Sequence, residues 1–145
     1  MHHLQSQAHV RWDCKYHLVF VPKYRRKRFY GRLRREVGSI LRELCEQKGI
    51  GLEEGHAMPD HIHLLLAIPP KLAVADVVGF LKGKSAVLIH RRFAKEQRFT
   101  GYHFWARGYF VSTVGLDEAL VRKYIREQEK TDQRQERLRL NRKGL

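Results

Sequence analysis

Cysteine and long apolar runs are scarce in this sequence, and each of these scarcities excludes a class of protein. The two cysteines, Cys14 and Cys45, form no Cys-x-x-Cys pair, which excludes a disulfide framework and a cysteine-rich zinc site. The longest apolar stretch, residues 62–70, contains a histidine and two of the four prolines and is too short to cross a bilayer. The N-terminus lacks the charged-then-apolar order of a signal peptide. These absences favour a cytoplasmic protein without a membrane partner.

Acidic residues are also few: 15 Asp and Glu stand against 29 Lys and Arg, which gives a formal net charge of +14. Hydrophobic residues nevertheless make up 43% of the 145 residues, so disorder throughout is excluded and a packed core is expected. A folded chain this basic favours a polyanionic partner, nucleic acid before an acidic membrane surface. The length and the lack of a linker predict a single domain over residues 1–145.

The apolar patterns predict the element order β-α-β-β-α-β-α. Three helices are predicted. The apolar pattern of the first begins at Val37 and stops at Gly49, and the other two span residues 74–93 and 116–139. The first six elements match the ferredoxin-like arrangement, an α+β fold with a four-stranded antiparallel sheet and two helices on one face. The other face is left for the third helix, a partner subunit or nucleic acid to cover. The predicted strands are residues 9–21, 50–58, 62–68 and 102–114.

Two histidines, His61 and His63, alternate with apolar residues on the third predicted strand. Residues two apart in a strand point to the same face, so both histidines are expected on the open face of the sheet. Neutral imidazoles side by side offer ring nitrogens to a divalent cation. Two half-exposed histidines without a metal are the commoner explanation of an isolated pair. The apolar residues expected to face the helices are Ile62, Leu64 and Leu66.

Tyr124 and Gln128 lie four residues apart in the last predicted helix, so both side chains are expected on one helical face. A phenol is a poor nucleophile at neutral pH because its reference pKa is about 10. Neighbouring basic residues, and a metal at a reacting phosphate, would favour the phenolate. The competing interpretation is a tyrosine whose ring covers the core. Glu127 lies on a similar face, so spacing alone leaves it open as a metal ligand.

Two basic stretches are candidates for contacts with phosphates. In the first, residues 23–35, aromatic rings that stack on unpaired bases interleave with cations that bind phosphate oxygens. A solvated basic surface is the alternative for both stretches, and composition does not choose between DNA and RNA. The glycines of residues 79–85 are too closely spaced for a phosphate-binding loop, which excludes nucleotide binding by this motif. The candidates for contacts with nucleic acid are Lys23, Tyr24, Arg25, Arg26, Lys27 and Arg28 in the first stretch, and Lys82, Lys84, Arg91 and Arg92 on the second predicted helix.

The order of these motifs resembles the single-tyrosine HUH transposases, the small insertion-sequence enzymes that include the REP-associated tyrosine transposases. The resemblance covers about residues 9–130 and leaves a basic tail over residues 131–145. Its most specific pieces are the His-hydrophobic-His at 61–63 and the Tyr-x-x-x-Gln at 124–128. The ordered set is KYRRK after the first strand, MPDHIHLLL on the third strand, FLKGKS in the second helix and YIREQ in the last helix.

The resemblance implies a DNA transposase that cleaves and rejoins single-stranded DNA at hairpin-bearing element ends. Tyr124 would attack the scissile phosphate and form a 5′-phosphotyrosine, which leaves a free 3′-OH on the departing DNA. His61, His63 and Gln128 would hold Mg²⁺ or Mn²⁺, and the mixed nitrogen and oxygen donors suit Mn²⁺ better. The family also implies a homodimer, in which the tyrosine helix of one subunit can complete the metal site of the other.

Two other functions stay open at this point. A non-catalytic module that binds single-stranded nucleic acid on the same fold would carry aromatic residues on the open sheet face, where this chain places histidines. A metal-dependent nuclease would use water as its nucleophile and would form no covalent intermediate. Covalent capture of cut DNA therefore discriminates among the three functions.

Overall fold

The computed structural model describes residues 5–7, 9–23, 31–93 and 104–115, together with Arg134, Arg137 and Leu138. The chain divides into two compact units, one of residues 14–114 and one of residues 1–13 with 115–145. The prediction of a single domain therefore stays a prediction. Arg134, Arg137 and Leu138 are helical, as predicted, and the rest of the predicted third helix lies outside the described residues.

The unit of the two chain ends contains a short antiparallel hairpin of β1 (Gln5–Gln7) and β2 (Val10–Trp12). In the connecting turn, His9 has a φ of 60°, the left-handed backbone conformation that tight hairpin turns require.

The larger unit is built on a four-stranded sheet with the order β4-β5-β3-β6, in which every neighbouring pair is antiparallel. Two helices complete the β-α-β-β-α-β order, which confirms the predicted ferredoxin-like α+β fold. None of the described helices is long and apolar enough to span a membrane. The elements are β3 (Lys15–Phe20), α1 (Gly31–Lys48), β4 (Gly51–Ala57), β5 (Ile62–Ala67), α2 (Val74–Phe93) and β6 (Phe110–Thr113).

Two of the predicted strands have different boundaries in the structure. The predicted strand over 9–21 is divided between β2 and β3, which belong to separate sheets. In the predicted strand over 102–114, only β6 belongs to the sheet within the described residues. Before β6, Trp105 forms an isolated bridge with Pro22, and Gly108 adopts a φ of 82° that is incompatible with a continuous strand. The predicted second helix, in contrast, has the bounds of α2.

The core lies on the helix side of the sheet, and the alternation along β5 defines that side. Ile62, Leu64 and Leu66 are buried in the core, whereas His63 and Leu65 are half-buried on the opposite face. The predicted inward residues of this strand are therefore confirmed. The same cluster includes Leu18 and Phe20 from β3, Val37, Ile40, Leu41, Leu44 and Cys45 from α1, and Val77, Val78, Leu81, Ala86, Ile89 and Phe93 from α2.

Leu66→Ala is expected to destabilise the fold strongly, because the Leu66 side chain is 0% exposed in the centre of the core. Truncating a buried leucine typically costs about 2–5 kcal/mol through lost burial and the residual cavity. Leu65→Ala is the matched control, since Leu65 precedes it in the same strand and points to the other face. Urea unfolding of both variants measures the difference. Equal losses of unfolding free energy would contradict the assigned faces of β5.

Cys14 and Cys45 are both free, and Cys45 is buried. Burial raises the pKa of the Cys45 thiol to about 11, and the charge of Glu46 contributes in the same direction. The thiol therefore stays protonated at neutral pH and acts as a packing group of α1.

Candidate active site on the open sheet face

The histidines predicted to share the open sheet face lie at the start of β5. His63 is the second residue of this strand, and His61 is the residue immediately before the strand begins. Both side chains are half-buried, on the face opposite the core. Because β5 lies between β4 and β3, backbone hydrogen bonds on both sides fix the position of His63.

Two further histidines, His17 and His56, lie on the same face beside His63. His56 is directly opposite His63 in the β4–β5 register, and their ring centroids are 6.4 Å apart. His17 on β3 is paired with Leu65, so it lies diagonally across from His63, with ring centroids 5.2 Å apart. The sequence analysis missed both residues. The alternation of His17 with the buried Leu18 and Phe20 indicates its face, but the strand register that brings it to His63 is not local information.

His17 and His63 are in direct contact through their ring nitrogens. Nδ1 of His17 is 3.1 Å from Nε2 of His63, so one ring donates its N–H and the other accepts with its lone pair. Burial lowers the pKa of His63, and the neighbouring imidazoles of His17, His56 and His61 lower it further. His63 is therefore neutral at neutral pH, which is the state in which an imidazole can bind a cation.

The turn between β4 and β5 holds His61 against a carboxylate. The backbone N–H of Met58 donates to the carbonyl of His61 over 2.8 Å, which closes the turn at Pro59 and Asp60. Nδ1 of His61 then donates to Oδ1 of Asp60, also over 2.8 Å. A carboxylate bound to Nδ1 keeps the proton there and leaves Nε2 with a free lone pair. Asp60 thus fixes His61 in the tautomer that suits a metal ligand, a role that the sequence analysis did not assign.

The described side chains supply part of a cation site. Among the residues that the structure describes, no three His, Cys, Asp or Glu side chains converge into a group that could hold a metal ion. The predicted third ligand, Gln128, lies outside the described residues, as does Glu127. The donors that are described, imidazole nitrogens with a carboxylate bound to one of the rings, fit Mn²⁺ well and Mg²⁺ less well, since Mg²⁺ prefers oxygen ligands.

Several predicted site residues fall outside the part of the chain that the structure describes. Lys23 is described, and its backbone N–H donates to the carbonyl of Phe104 over 2.7 Å. The candidates outside the described residues are Tyr24, Arg25, Arg26, Lys27 and Arg28 of the basic segment and the predicted nucleophile Tyr124.

The basic residues predicted on the second helix differ in their surroundings. Lys82 donates from Nζ to the carbonyls of Ala106 and Gly108, over 2.6 and 2.9 Å, and burial lowers its pKa. It thereby ties α2 to the segment that leads into β6, a contact that the charge pattern did not indicate. Arg92 pairs with Glu36 over 3.0 Å. Lys84, Arg91 and Arg92 are exposed, whereas Lys82 is half-buried.

Comparison with known proteins gives the family. Residues 10–128, most of the chain, match the family model described as "Transposase IS200 like". The chain belongs to the IS200-like transposase family. The transposase of insertion sequence element IS200 from Salmonella typhimurium is 49% identical to this IS200-like transposase over 135 residues, covering 92% of this chain and 89% of the relative. The ISDra2 transposase TnpA of Deinococcus radiodurans is 33% identical over 119 residues, covering 81% and 85%.

Solved structures agree with this assignment. A Deinococcus radiodurans chain described as a transposase superposes on this IS200-like transposase with a TM-score of 0.68 at 32% identity, covering 86% of this chain and 96% of the other. A REP-associated tyrosine transposase bound to a REP hairpin gives a TM-score of 0.54 at 9% identity, covering 82% and 68%, which shows a shared fold alone. The resemblance to small insertion-sequence transposases is confirmed. The chain is a transposase and acts in DNA transposition.

Proposed function

We propose that this IS200-like transposase cleaves and rejoins single-stranded DNA through a covalent 5′-phosphotyrosine at Tyr124. The observation that carries the proposal is the placement of His61 and His63 on the open sheet face, where Asp60 holds one imidazole in the tautomer of a metal ligand. The membership of the chain in a transposase family supports the reaction class.

In the proposed reaction, the phenol oxygen of Tyr124 attacks the phosphorus of the scissile phosphodiester. A bond from phosphorus to the tyrosine oxygen forms, the bond to the 3′ oxygen breaks, and that oxygen takes a proton to become a 3′-OH. A 3′-OH of another strand then attacks the phosphotyrosine, the bond from phosphorus to the tyrosine oxygen breaks, and that oxygen takes a proton to restore the phenol. A phosphodiester is formed again, so rejoining consumes no nucleotide. The number of phosphoester bonds is conserved in both steps.

His61 and His63 would hold a divalent ion, Mg²⁺ or Mn²⁺, with Gln128 as the third ligand. When bound, the ion supplies Lewis-acid polarisation of the scissile phosphate and offsets charge in the transition state. The 2.8 Å hydrogen bond to Asp60 would hold His61 in the tautomer that binds such an ion. The spacing of Tyr124 and Gln128 would keep the nucleophile and a ligand on one element.

DNA with hairpins at the element ends is the proposed partner. The net charge of +14 favours a polyanion, and the exposed Lys84 and Arg91 extend positive charge along α2. The REP-associated tyrosine transposase was solved with a REP hairpin bound, which supports hairpin recognition here. The residues proposed to hold DNA are Lys23, Tyr24, Arg25, Arg26, Lys27, Arg28, Lys82, Lys84, Arg91 and Arg92. A homodimer and a cytoplasmic location stay predictions.

One gel tests the proposed function against its two alternatives. Single-stranded DNA that carries an element-end hairpin and a label at its 3′ end is incubated with the protein and Mn²⁺, denatured, and run with and without protease treatment. We expect a slow band that protease converts to a short labelled product. Cleavage without any protease-sensitive band would indicate a water-using nuclease and would overturn the tyrosine mechanism. Binding without cleavage would indicate a non-catalytic module.

Asp60→Ala is expected to weaken Mn²⁺ binding by about 10- to 100-fold, because it removes the hydrogen-bond acceptor that orients His61. Isothermal titration with Mn²⁺ measures the change in Kd. Glu53→Ala is the matched control, since it deletes another exposed carboxylate from the same β4–β5 hairpin. If both variants bind Mn²⁺ as the parent does, Asp60 has no part in the site.

A further inference from the structure

We propose that the ring of Phe110 is a stacking platform for one unpaired base of the DNA substrate, close to the scissile phosphate. The proposal rests on the single-stranded DNA substrate of the proposed function and adds a residue that contacts it. It starts from an aromatic ring at the start of β6. Phe110 is 61% exposed, more than any other large hydrophobic side chain that the structure describes.

The strand register places Phe110 in one row with the candidate active site. Residues directly opposite each other on neighbouring strands have their side chains on the same face of the sheet. Val19 on β3 is opposite His63 on one side and opposite Phe110 on the other side. From β4 through β5 and β3 to β6, the row on the open face is His56, His63, Val19 and Phe110.

The distance along this row fits a short piece of single-stranded DNA. Neighbouring strands are about 4.8 Å apart, so the backbone of Phe110 lies about 10 Å from that of His63. Stacked bases of one DNA strand follow each other at about 3.4 Å, and an extended strand spaces them more widely. With the scissile phosphate at His63, a base on Phe110 therefore belongs to a nucleotide within about three of the cut.

The chemistry changes along the row as it does along a nucleotide. The imidazole of His63 is polar, whereas the half-buried Val19 and the exposed Phe110 are apolar. Aromatic rings stack on unpaired bases of any sequence, because every base has a π face. The exposed Arg107, three residues before Phe110, adds a cation for a neighbouring phosphate. The net charge of +14 makes a nucleic-acid strand the complementary occupant of this surface.

The backbone that carries the ring is anchored on two sides. β6 and β3 are joined by four residue pairs, and Val19 with Phe110 is the pair at one end. In the segment before β6, Nζ of Lys82 donates to the carbonyls of Ala106 and Gly108, over 2.6 and 2.9 Å. These contacts tie the segment to α2. Phe110 is therefore held in position before DNA arrives, which is how a stacking residue orients a base.

Val111 provides the contrast within the same strand. It follows Phe110 directly and is 39% exposed. It is opposite Leu18, which belongs to the core, so its side chain is on the other face of the sheet. The two residues are thus exposed apolar neighbours on β6, of which Phe110 alone shares a face with His63.

Removal of single bases from the DNA tests the proposal. A fluorescent element-end hairpin with its unpaired flank is titrated with the full-length protein in excess chelator, so that binding is measured apart from metal-dependent cleavage. Matched DNAs each lack one base of the flank and keep the sugar and phosphate. Fluorescence anisotropy gives each Kd. For the parent, we expect the loss of one particular base to raise Kd by about 5- to 150-fold, the range of base–aromatic stacking.

Phe110→Ala is expected to raise the Kd of the intact DNA by a similar factor and to remove the effect of that base. Val111→Ala is the matched control and is expected to bind every DNA as the parent does. Phe110→Trp keeps an aromatic ring and is expected to keep the dependence on the same base. That base is expected to lie next to the cut that the denaturing gel maps.

A Phe110→Ala variant that depends on every base as the parent does overturns the proposal. Thermal unfolding and the mass from light scattering, both without DNA, are expected to be the same in the parent, Phe110→Ala and Val111→Ala. A lower Tm or a changed mass in Phe110→Ala alone would show that protein covers the ring, and it also overturns the proposal. Neither result affects the tyrosine mechanism, which the protease-sensitive band decides. A parent without that band refutes the tyrosine mechanism, whereas a base dependence that disappears in Phe110→Ala still supports the stacking contact.

Discussion

Replacing Tyr124 with phenylalanine is expected to abolish the covalent protein–DNA adduct while single-stranded DNA is still bound. The change removes one oxygen atom, the proposed nucleophile, and keeps the ring. Loss of a nucleophile typically lowers the rate by at least about 10³-fold. Denaturing gels of labelled DNA measure the adduct, and a mobility shift measures binding.

Tyr109→Phe is the matched control for this experiment, since it makes the same change at an exposed tyrosine just before β6. It is expected to leave the yield of adduct unchanged. Adduct formation by the Tyr124→Phe variant at the parent rate would show that another residue attacks the phosphate, and the assignment of the nucleophile would be withdrawn.

Alanine at His61 or His63 is expected to eliminate metal-dependent cleavage and to leave the fold intact. Both imidazoles lie on the face of the sheet opposite the core, so their removal opens no cavity among the packed residues. Each variant loses a proposed ligand and, with it, the polarisation of the phosphate by the ion. Cleavage at saturating Mn²⁺ is expected to fall by at least about 10²-fold, an effect comparable with the loss of a key electrostatic group.

Two further measurements distinguish a loss of the fold from a loss of metal-dependent cleavage. Thermal unfolding of His63→Ala without metal should match that of the parent, and the parent should lose cleavage in excess chelator. Full cleavage by the parent in chelator would show that the reaction needs no ion. His56→Ala is the matched control on the same sheet face and is expected to cleave as the parent does.

The sheet and its two helices could be predicted because their causes are local in sequence. The alternation Ile62, Leu64, Leu66 fixes which face of β5 is buried, and the same alternation places His61 and His63 on the other face. The bounds of α2 were predicted correctly because three- and four-residue apolar spacing runs through the whole helix.

The features that were missed depend on contacts between distant residues. His17 reaches His63 only through the β3–β5 register, and a one-residue shift would place it on the core face. The ammonium group of Lys82 donates to two carbonyls more than twenty residues along the chain, and its charge alone did not indicate these contacts. The break between β2 and β3 was missed because the residues on both sides of it favour strands equally.

The interior position of β5 has a consequence for how long the site keeps its shape. An amide in a strand that is hydrogen-bonded on both sides exchanges its hydrogen with solvent only when a large part of the sheet opens, whereas edge strands and turns open locally. Within the described residues, the backbone that carries His63 is therefore expected to exchange its amide hydrogens more slowly than the edge strands and the turns. Local opening of the β4 edge or the turn at Asp60 leaves that backbone unmoved, so the imidazole keeps its place between encounters with metal and DNA.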